Sequence, residues 1–359
     1  MNKDIVLTVD YHHRNMEIRW LDCAAGEERC FKRPTSVGSI QRVLSAAGRA
    51  AAASGGRVVW IMESTTGWVR VKELVGQQAR FLLANVLQMP LPPKARRRKT
   101  DKIDTARIQR EYLAGHLPLA YQPSGALRQV RRLVDARQDL IERRTTLRNW
   151  VWHYLSHETW QGVTNLWSGR GMERLRKLAL PRQDRLVLDL KLAELERIEE
   201  LLARVDEELM AVYRQSGQAQ RLDEVRGIAP LTAVSMLGYI GPIERFKTSE
   251  ELISYAGLAP GVHQSDGRCY GTRIGGGGTH SRLRYFVMQS TRWLKEIDRY
   301  RPSHQRVLAR RGKKVARVVV ARMFLRSVHR MLRTGQAFDA RPEAKDTTVV
   351  REDTATTAA

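Results

Sequence analysis

Two short apolar runs, residues 5–9 and residues 57–62, constrain the fold of this chain more than any other feature. Both are buried-strand patterns, and the second, which contains Val-Val-Trp-Ile-Met, is typical of a central strand. Strand and helix patterns alternate around them, and this order predicts an α/β layer with a mixed sheet. The other predicted elements are strands at 16–21, 30–32 and 80–86 and helices at 36–53, capped by Ser36, at 68–78 and at 101–114.

Long amphipathic helices dominate the rest of the chain. Apolar residues recur at helical spacing over residues 124–157 and 185–215. Two such helices around a break form either a helical hairpin packed on its own chain or a coiled coil between subunits, and we favour dimerisation through them. A mostly helical part follows, so the predicted fold class is α/β plus α. The predicted domains are 1–120 for the sheet, 121–218 for the helical linker, 219–335 for the C-terminal part and 336–359 for a polar, disordered tail.

The charge of the chain favours a polyanionic partner. Its 359 residues carry a formal net charge of +24, and 42% of them are hydrophobic, which indicates a folded protein and not a basic tail. Between residues 268 and 333 there are 18 lysines and arginines but only two acids, Glu296 and Asp298. Proteins that bind structural RNA share such a composition, so charge alone does not indicate an enzyme.

Cysteine content and hydropathy favour a cytoplasmic protein. Cys23, Cys30 and Cys269 form no CxxC motif, so a structural zinc site is not expected and the count suits a reducing compartment. No apolar run is long enough to span a bilayer, and the N-terminus lacks the apolar core of a signal peptide. We therefore expect a cytoplasmic protein that, in a bacterium, associates with the nucleoid.

Four acids stand where predicted elements end or begin. Asp10 follows the first strand and Glu63 follows the strand at 57–62. Asp101 and Asp104 begin a helix at the end of a basic run, and their three-residue spacing places them on one helical face. If the two strands are neighbours, Asp10 and Glu63 meet at the edge of the sheet where α/β proteins build their sites, and the helix adds the other two.

Four neighbouring carboxylates need compensating cations. Mg²⁺ prefers oxygen ligands, and two such ions about 3.5–4 Å apart stabilise the attacking and leaving oxygens at a phosphorus centre. Taken singly, each acid has a simpler explanation as a turn residue, a helix cap or a complement to a helix dipole. Taken together, their order favours a site for Mg²⁺ or Mn²⁺.

With Asp10, Glu63 and the segment Lys-Thr-Asp-Lys-Ile-Asp-Thr-Ala at 99–106, the chain resembles the DEDD transposases of the Piv and MooV type, which are recombinases of insertion sequences. The resemblance implies that residues 1–120 form a RuvC-like domain with the ribonuclease-H fold, whose four acids bind Mg²⁺ or Mn²⁺. It also implies donor and target DNA, a homo-oligomer (a dimer or tetramer) and, as in some members of the family, a guiding bridge RNA.

The C-terminal part extends this resemblance. Gly-Ile-Ala-Pro-Leu-Thr-Ala at 227–233 is similar to the helix-hairpin-helix-like start of the family's second domain. Tyr-Ala-Gly-Leu-Ala-Pro at 255–260 and Gln-Ser-Asp-Gly at 264–267 follow in the family's order. The resemblance implies that Ser265 is the nucleophile, which would form a phosphoserine link with DNA. Without the family pattern, Ser265 would be interpreted as a turn serine.

The chain departs from the family pattern at three places. Ala229 and Asp266 stand where glycine is usual, so a phosphate contact through the backbone amides near Ala229 is in question. Residues 275–278 are four glycines that form either a phosphate nest or a flexible joint, and we favour the joint.

Two basic segments, near residues 94–102 and over 268–333, are candidates for contacts with nucleic-acid phosphates. A solvated basic face is the alternative for individual members. The predicted contacts are Arg96, Arg97, Arg98, Lys99, Lys102, Arg268, Arg273, Arg282, Arg284, Lys313, Lys314 and Arg317.

The sequence thus predicts a DNA recombinase of an insertion sequence, which cleaves and exchanges strands with Mg²⁺ and a serine nucleophile. Two rival functions remain. One is a RuvC-like Holliday-junction nuclease that uses water and needs no serine. The other is a non-catalytic nucleic-acid-binding protein, for which only the positive charge matters.

Overall fold

The computed structural model describes residues 3–89, 101–157, 165–261, 264–265, 268–269, 273–274 and 281–341, with the backbone alone at 101–104, 156–157, 281 and the described positions from 260 to 274. The chain divides into two compact units, Met1–Gln122 and Pro123–Ala359. The predicted contacts Arg96, Arg97, Arg98 and Lys99 and most of the predicted tail lie outside the described residues. No described helix is both long enough and apolar enough to cross a membrane.

The first unit is built on a five-stranded mixed sheet. Its strands are β1 (Ile5–Tyr11), β2 (Asn15–Asp22), β3 (Glu27–Pro34), β4 (Val58–Glu63) and β5 (Arg80–Ala84), in the order β3-β2-β1-β4-β5. The first three strands form an antiparallel meander, whereas β4 runs parallel to both β1 and β5. The predicted α/β layer with a mixed sheet is confirmed.

Helices cover both faces of this sheet. On one face α1 (Val37–Ser54) and α2 (Trp68–Val75) pack over a core that includes Leu7, Val9, Trp60 and Met62. Ser36 caps α1, as predicted, because its side chain accepts a hydrogen bond from the Ser39 amide at 3.2 Å. The opposite face is covered by α3 (Asp101–Leu113), which contributes Ile108 to a smaller core with Val6, Val59 and Ile61.

The second unit begins with an antiparallel pair of long helices, α4 (Gly125–His157) and α6 (Arg182–Gln215), with α5 (Gly169–Lys177) between them in sequence. Contacts from Arg137 to Asp206 and from Arg144 to Glu199 show that residue numbers rise along α4 as they fall along α6. Of the two predicted alternatives, the structure shows the helical hairpin within one chain, whereas dimerisation through these helices stays a prediction. Helix α5, which Ser168 caps, is not predicted from the sequence, because its two glycines and four basic residues leave little apolar periodicity.

The rest of the second unit packs around one large apolar core. Its helices are α7 (Gly217–Asp223), α8 (Pro230–Ile240), α9 (Ser249–Tyr255), α10 (Ser281–Leu294) and α11 (Arg301–Thr334). Between α9 and α10 lie two short antiparallel pairs, β6 (Pro260–Gly261) with β9 (Arg273–Ile274) and β7 (Gln264–Ser265) with β8 (Arg268–Cys269). The mostly helical C-terminal part is confirmed.

Glycine sets two local shapes in this unit. Gly227 has φ +92°, and a Cβ there would lie 2.3 Å from Trp293 Cβ, so a larger residue does not fit. Gly312 has φ +77° and ψ 175°, which kinks α11 and separates residues 301–311 from residues 313–334. Sequence analysis began this helix only at residue 314, since the glycine interrupts its apolar pattern.

Candidate active site

Asp10 and Glu63 occupy equivalent positions on neighbouring parallel strands. The register of β1 and β4 pairs Val9 with Met62, and each acid is the next residue of its strand. Because neighbouring strands lie about 4.8 Å apart, the two acids stand side by side at the carboxyl edge of the sheet. The sequence predicts that the two acids meet if their strands are neighbours, and β1 and β4 are neighbours.

Both acids belong to the face of the sheet that α3 covers. Side chains alternate between faces along a strand, so Asp10 lies on the side of Thr8 and Glu63 on the side of Ile61. Thr8 is fully buried, and its hydroxyl donates a hydrogen bond to Gln109 of α3 at 3.5 Å. Asp10 is 13% exposed, and its Oδ2 lies 3.1 Å from His12 Nε2.

Helix α3 runs antiparallel to β1. Gln109 contacts Thr8, whereas Tyr112, one turn later, lies near the start of β1: burial raises the pKa of its phenol, and the nearby Asp4 raises that pKa further. The first turn of α3 starts roughly 7–12 Å before Gln109, and Asp10 lies about 7 Å beyond Thr8 in the same direction. The backbone of Asp101 and Asp104 therefore begins α3 at the edge that holds Asp10 and Glu63. The side chains of these two residues, like that of Lys102, lie outside the described part of the structure.

Glu17 is a third acid at this edge, and sequence analysis missed it. It pairs across the antiparallel ladder with Asp10, on the same face of the sheet. Its side chain is 3% exposed; Oε2 lies 3.5 Å from Lys32 Nζ, while Oε1 is buried and has no hydrogen-bond partner among the described residues. The predicted hairpin already contained the information, because a turn over residues 11–15 places Glu17 opposite Asp10.

The chemistry of these side chains suits a hard cation. Asp10, Glu17 and Glu63 offer carboxylate oxygens, which Mg²⁺ and Mn²⁺ prefer. Within the described residues, however, no three His, Cys, Asp or Glu side chains converge closely enough to hold a metal ion. A site at this edge would therefore need Asp101 and Asp104 as well, which is the donor set that the sequence predicts.

Ser265, the predicted nucleophile, ends β7. Its register partner across the antiparallel pair is Arg268, one of the predicted phosphate contacts, and Gly261 pairs with Arg273, another of them. The backbone thus places a cationic residue opposite the serine. The side chains of Ser265, Arg268 and Arg273 lie outside the described residues.

Two of the predicted phosphate contacts hold helices together. Arg282 lies within 3.5 Å of Asp135, 3.2 Å of Asp139 and 2.9 Å of Glu142, all on α4. Arg317 donates to the Thr291 hydroxyl at 3.0 Å and to the Met288 carbonyl at 2.7 Å, which joins α11 to α10.

Other predicted contacts are more accessible. Arg284 is half-buried, whereas Lys313 and Lys314 are exposed beside the kink at Gly312. Arg306, Arg310 and Arg311, which sequence analysis did not select, are exposed on the other side of the same kink. Within the described residues, none of these five cations of α11 has an ion-pair partner. Sequence analysis could have found the three arginines from the same basic run that supplied Lys313 and Lys314.

Comparison with known proteins gives consistent matches. Residues 219–307 match the model of the transposase IS116/IS110/IS902 family. The transposase for insertion sequence element IS1111A of Coxiella burnetii is 28% identical over 184 residues, 48% of this chain and 49% of that protein. A putative transposase of Sinorhizobium fredii, y4pF/y4sB, is 22% identical over 76% of this chain and 71% of its own length. The chain thus spans about half the length of the Coxiella protein.

Proposed function

We propose that this chain, which belongs to the IS116/IS110/IS902 transposase family, is a DNA-recombining enzyme of an insertion sequence. The observation that carries the proposal is the adjacency of Asp10 and Glu63 at the carboxyl edge of β1 and β4, with the start of α3 at the same edge. The relatives in Coxiella and Sinorhizobium carry the name transposase, which agrees with this activity.

The first unit would be the RuvC-like domain. Its mixed sheet, covered by helices on both faces, supports a ribonuclease-H-type fold. Asp101 and Asp104 precede Thr105 and Ile108 by four residues each, and this spacing keeps residues on one helical face. Since Thr105 is buried and Ile108 packs on the sheet, the helical period puts positions 101 and 104 on the sheet-facing side of α3.

Asp10, Glu63, Asp101 and Asp104 would hold Mg²⁺ or Mn²⁺. When bound, such ions stabilise the negative charge that develops on the attacking and leaving oxygens of a phosphodiester. The chain's own contribution is to fix the acids on rigid elements, two on central strands and two in the first turn of a helix. Burial of the neighbouring Thr8 and Gln109 excludes water from one side of the site.

Ser265 would be the attacking group. Its Oγ forms a bond to phosphorus and gives up its proton, while the bond from phosphorus to the leaving deoxyribose oxygen breaks and that oxygen takes a proton. The phosphoserine link conserves the energy of the broken bond until the hydroxyl of another strand attacks it. Arg268, the register partner of Ser265, would contact the phosphate.

The basic segments would bind the nucleic acid. The five exposed cations of α11, on both sides of Gly312, form the described surface best suited to phosphates, because no described acid neutralises them there. A guiding bridge RNA and assembly into a dimer or tetramer belong to the same proposal, on the strength of the family resemblance. Recovery of a defined RNA with the purified chain, and loss of activity after ribonuclease treatment, would support the RNA partner.

A strand-transfer assay with element-end DNA tests the proposal. The wild-type chain should give recombinant product and, on a denaturing gel, a covalent protein–DNA adduct, both dependent on Mg²⁺ and both absent with EDTA. Ser265→Ala should lose adduct and product while DNA binding persists. The matched control is Ser303→Ala, which changes a serine of α11 outside the proposed site.

The two rival functions give different outcomes. Nicked junction DNA without any adduct, at an equal rate in Ser265→Ala, would identify a nuclease that uses water. DNA binding without cleavage in any metal, unaffected by Glu63→Gln, would identify a non-catalytic binder.

A further inference from the structure

The Glu17 carboxylate is unusual because one of its oxygens has no role in the fold. The side chain is 3% exposed, so both oxygens are withdrawn from water. Lys32 contacts only Oε2, at 3.5 Å, and the Lys32 side chain is 64% exposed. Oε1 has no hydrogen-bond partner in the described part of the molecule. A buried acceptor without a partner destabilises the fold, more so when it is charged, so stability does not account for it.

The position of Glu17 connects this oxygen to the acidic edge. Across the three central strands, Glu17, Asp10 and Glu63 are consecutive neighbours on one face, because Asp10 pairs with Glu17 and stands beside Glu63. The next residue outward is Lys32, the partner of Glu17 on β3. The row thus contains three acids, with His12 beside Asp10 and Lys32 beside Glu17.

Asp10, Glu17 and Glu63 do not form a three-ligand metal site by themselves. The described acids do not converge as three ligands around one point. Mg²⁺ usually keeps several of its waters, and groups that contact such waters tune the affinity of a site without being ligands themselves. An acceptor that is buried, unpartnered and one strand away from Asp10 is suited to this second role.

We propose that Glu17 is a positioning residue of the cation site and accepts, through Oε1, a hydrogen bond from water that the divalent cation carries. This inference rests on the proposed function, since it requires that Asp10 and Glu63 bind the cation. Glu17 would add negative charge and orient that water, while Lys32 holds the other oxygen and fixes the side chain.

Mn²⁺ binding to the purified full chain, without nucleic acid, tests the inference. Titration followed by electron paramagnetic resonance of free Mn²⁺ gives a dissociation constant independent of activity. Glu17→Gln should raise this constant by about 10-fold or more, and Asp10→Asn should abolish binding. The matched control is Glu28→Gln, because Glu28 is an acid on the same face that is already bonded to Arg19 at 2.6 Å and to Gln109 at 2.9 Å.

Further measurements separate the possible results. If Glu17 serves only its ion pair with Lys32, then Glu17→Gln and Lys32→Met lower the melting temperature alike and leave Mn²⁺ affinity within twofold of the wild type; that result overturns the inference. If Asp10→Asn abolishes binding and Glu17→Gln does not weaken it, the proposed function survives and this inference fails. Unchanged Mn²⁺ binding in Asp10→Asn would instead show that the metal site of the proposed function is wrong.

Discussion

Charged side chains are arranged in opposite ways in the two units of the molecule. At the sheet edge of the first unit, Asp10, Glu17 and Glu63 are neighbours of the same sign, with Lys32 as an exposed counter-charge. In the second unit, Arg282 is surrounded by Asp135, Asp139 and Glu142. Like charges gathered in a half-buried place destabilise a fold and indicate a function, whereas opposite charges in contact indicate a structural role.

Ion pairs between arginines and acids join helices at several other places in the second unit. Arg137 pairs with Asp206, and Arg144 and Arg148 share Glu199, so ion pairs link α4 and α6 along their length. Arg322 and Arg326 share Glu250 in the same way, between α11 and α9. Many of the arginines that make this unit so positively charged are therefore already neutralised by neighbouring acids. A smaller set, such as the five exposed cations of α11, remains available for phosphates.

The sharpest test of the contrast is Asp10→Asn. Removal of this carboxylate should lower strand transfer more than 100-fold, which exceeds the usual effect of groups around a metal site that are not ligands. The melting temperature without divalent cations should change little, because Asp10 lies at the edge of the sheet and outside its apolar cores. A fall in melting temperature, with activity reduced less than tenfold, would show that Asp10 serves the fold.

The next largest effect concerns the exposed cations. Replacement of Arg306, Arg310, Arg311 and Lys313 by alanine should weaken DNA binding at least tenfold, while the melting temperature changes little. The slope of log affinity against log salt should become shallower by about 0.9 for each phosphate that the variant no longer neutralises. Fluorescence anisotropy at several salt concentrations gives both quantities, and an unchanged slope would exclude these four residues as phosphate-binding groups.

Arg282→Met should lower the stability of the fold and change DNA affinity little, which is the reverse of the four-alanine variant. Its side chain is 28% exposed and its loss leaves three acids together on α4, so the free energy of unfolding should fall by roughly 1–2 kcal/mol. DNA affinity should change less than in the four-alanine variant. Urea unfolding measures the stability, and Arg226→Met, at an exposed arginine, is the control. A large loss of DNA affinity without loss of stability would show that Arg282 binds phosphate and does not stabilise the fold.

The smallest effect is a dependence on pH. The hydrogen bond from Arg282 lowers the pKa of Glu142 below its ordinary value, against a smaller opposing effect of desolvation. A lowered pKa in the folded state stabilises the fold above the unfolded pKa, and that contribution is lost as the pH falls through the folded pKa. The wild type should therefore be more stable than Glu142→Gln at pH 7, and the difference should shrink as the pH falls through the lowered pKa of Glu142. Equal stability at pH 7 would show that the pair contributes nothing.

The sequence predicted the sheet edge well because local patterns determine it. The apolar runs that became β1 and β4 have the length and composition of central strands, and the acids that follow them lie at the edge as a consequence of strand direction. Glu17 was missed for a different reason. Its burial depends on α3, which covers that face, and on β3, which pairs with β2 beside it, and both reach Glu17 only in the folded molecule. From the sequence alone, an acid in an alternating strand is expected to be exposed to solvent.

The roles of the arginines were beyond sequence analysis. Arg282 stands in a basic run, and its partner Glu142 lies 140 residues earlier in the chain, so no local pattern connects them. The same holds for Arg317, which bonds to Met288 and Thr291 across the packing of α10 and α11. Helices α5 and α7 are not predicted from the sequence because they have only 9 and 7 residues, which is too short for a clear apolar periodicity.

The kink at Gly312 separates two parts of α11 that tolerate amino-acid substitution differently. Beyond it, α11 is anchored in the core through Ala316, Val320, Phe324 and Val328, and substitutions there must preserve packing. Before it, residues 301–311 are largely exposed, and their side chains can be exchanged without disturbing that core. One helix thus combines a half in which substitutions must preserve packing with a half in which exposed side chains can change independently of the core.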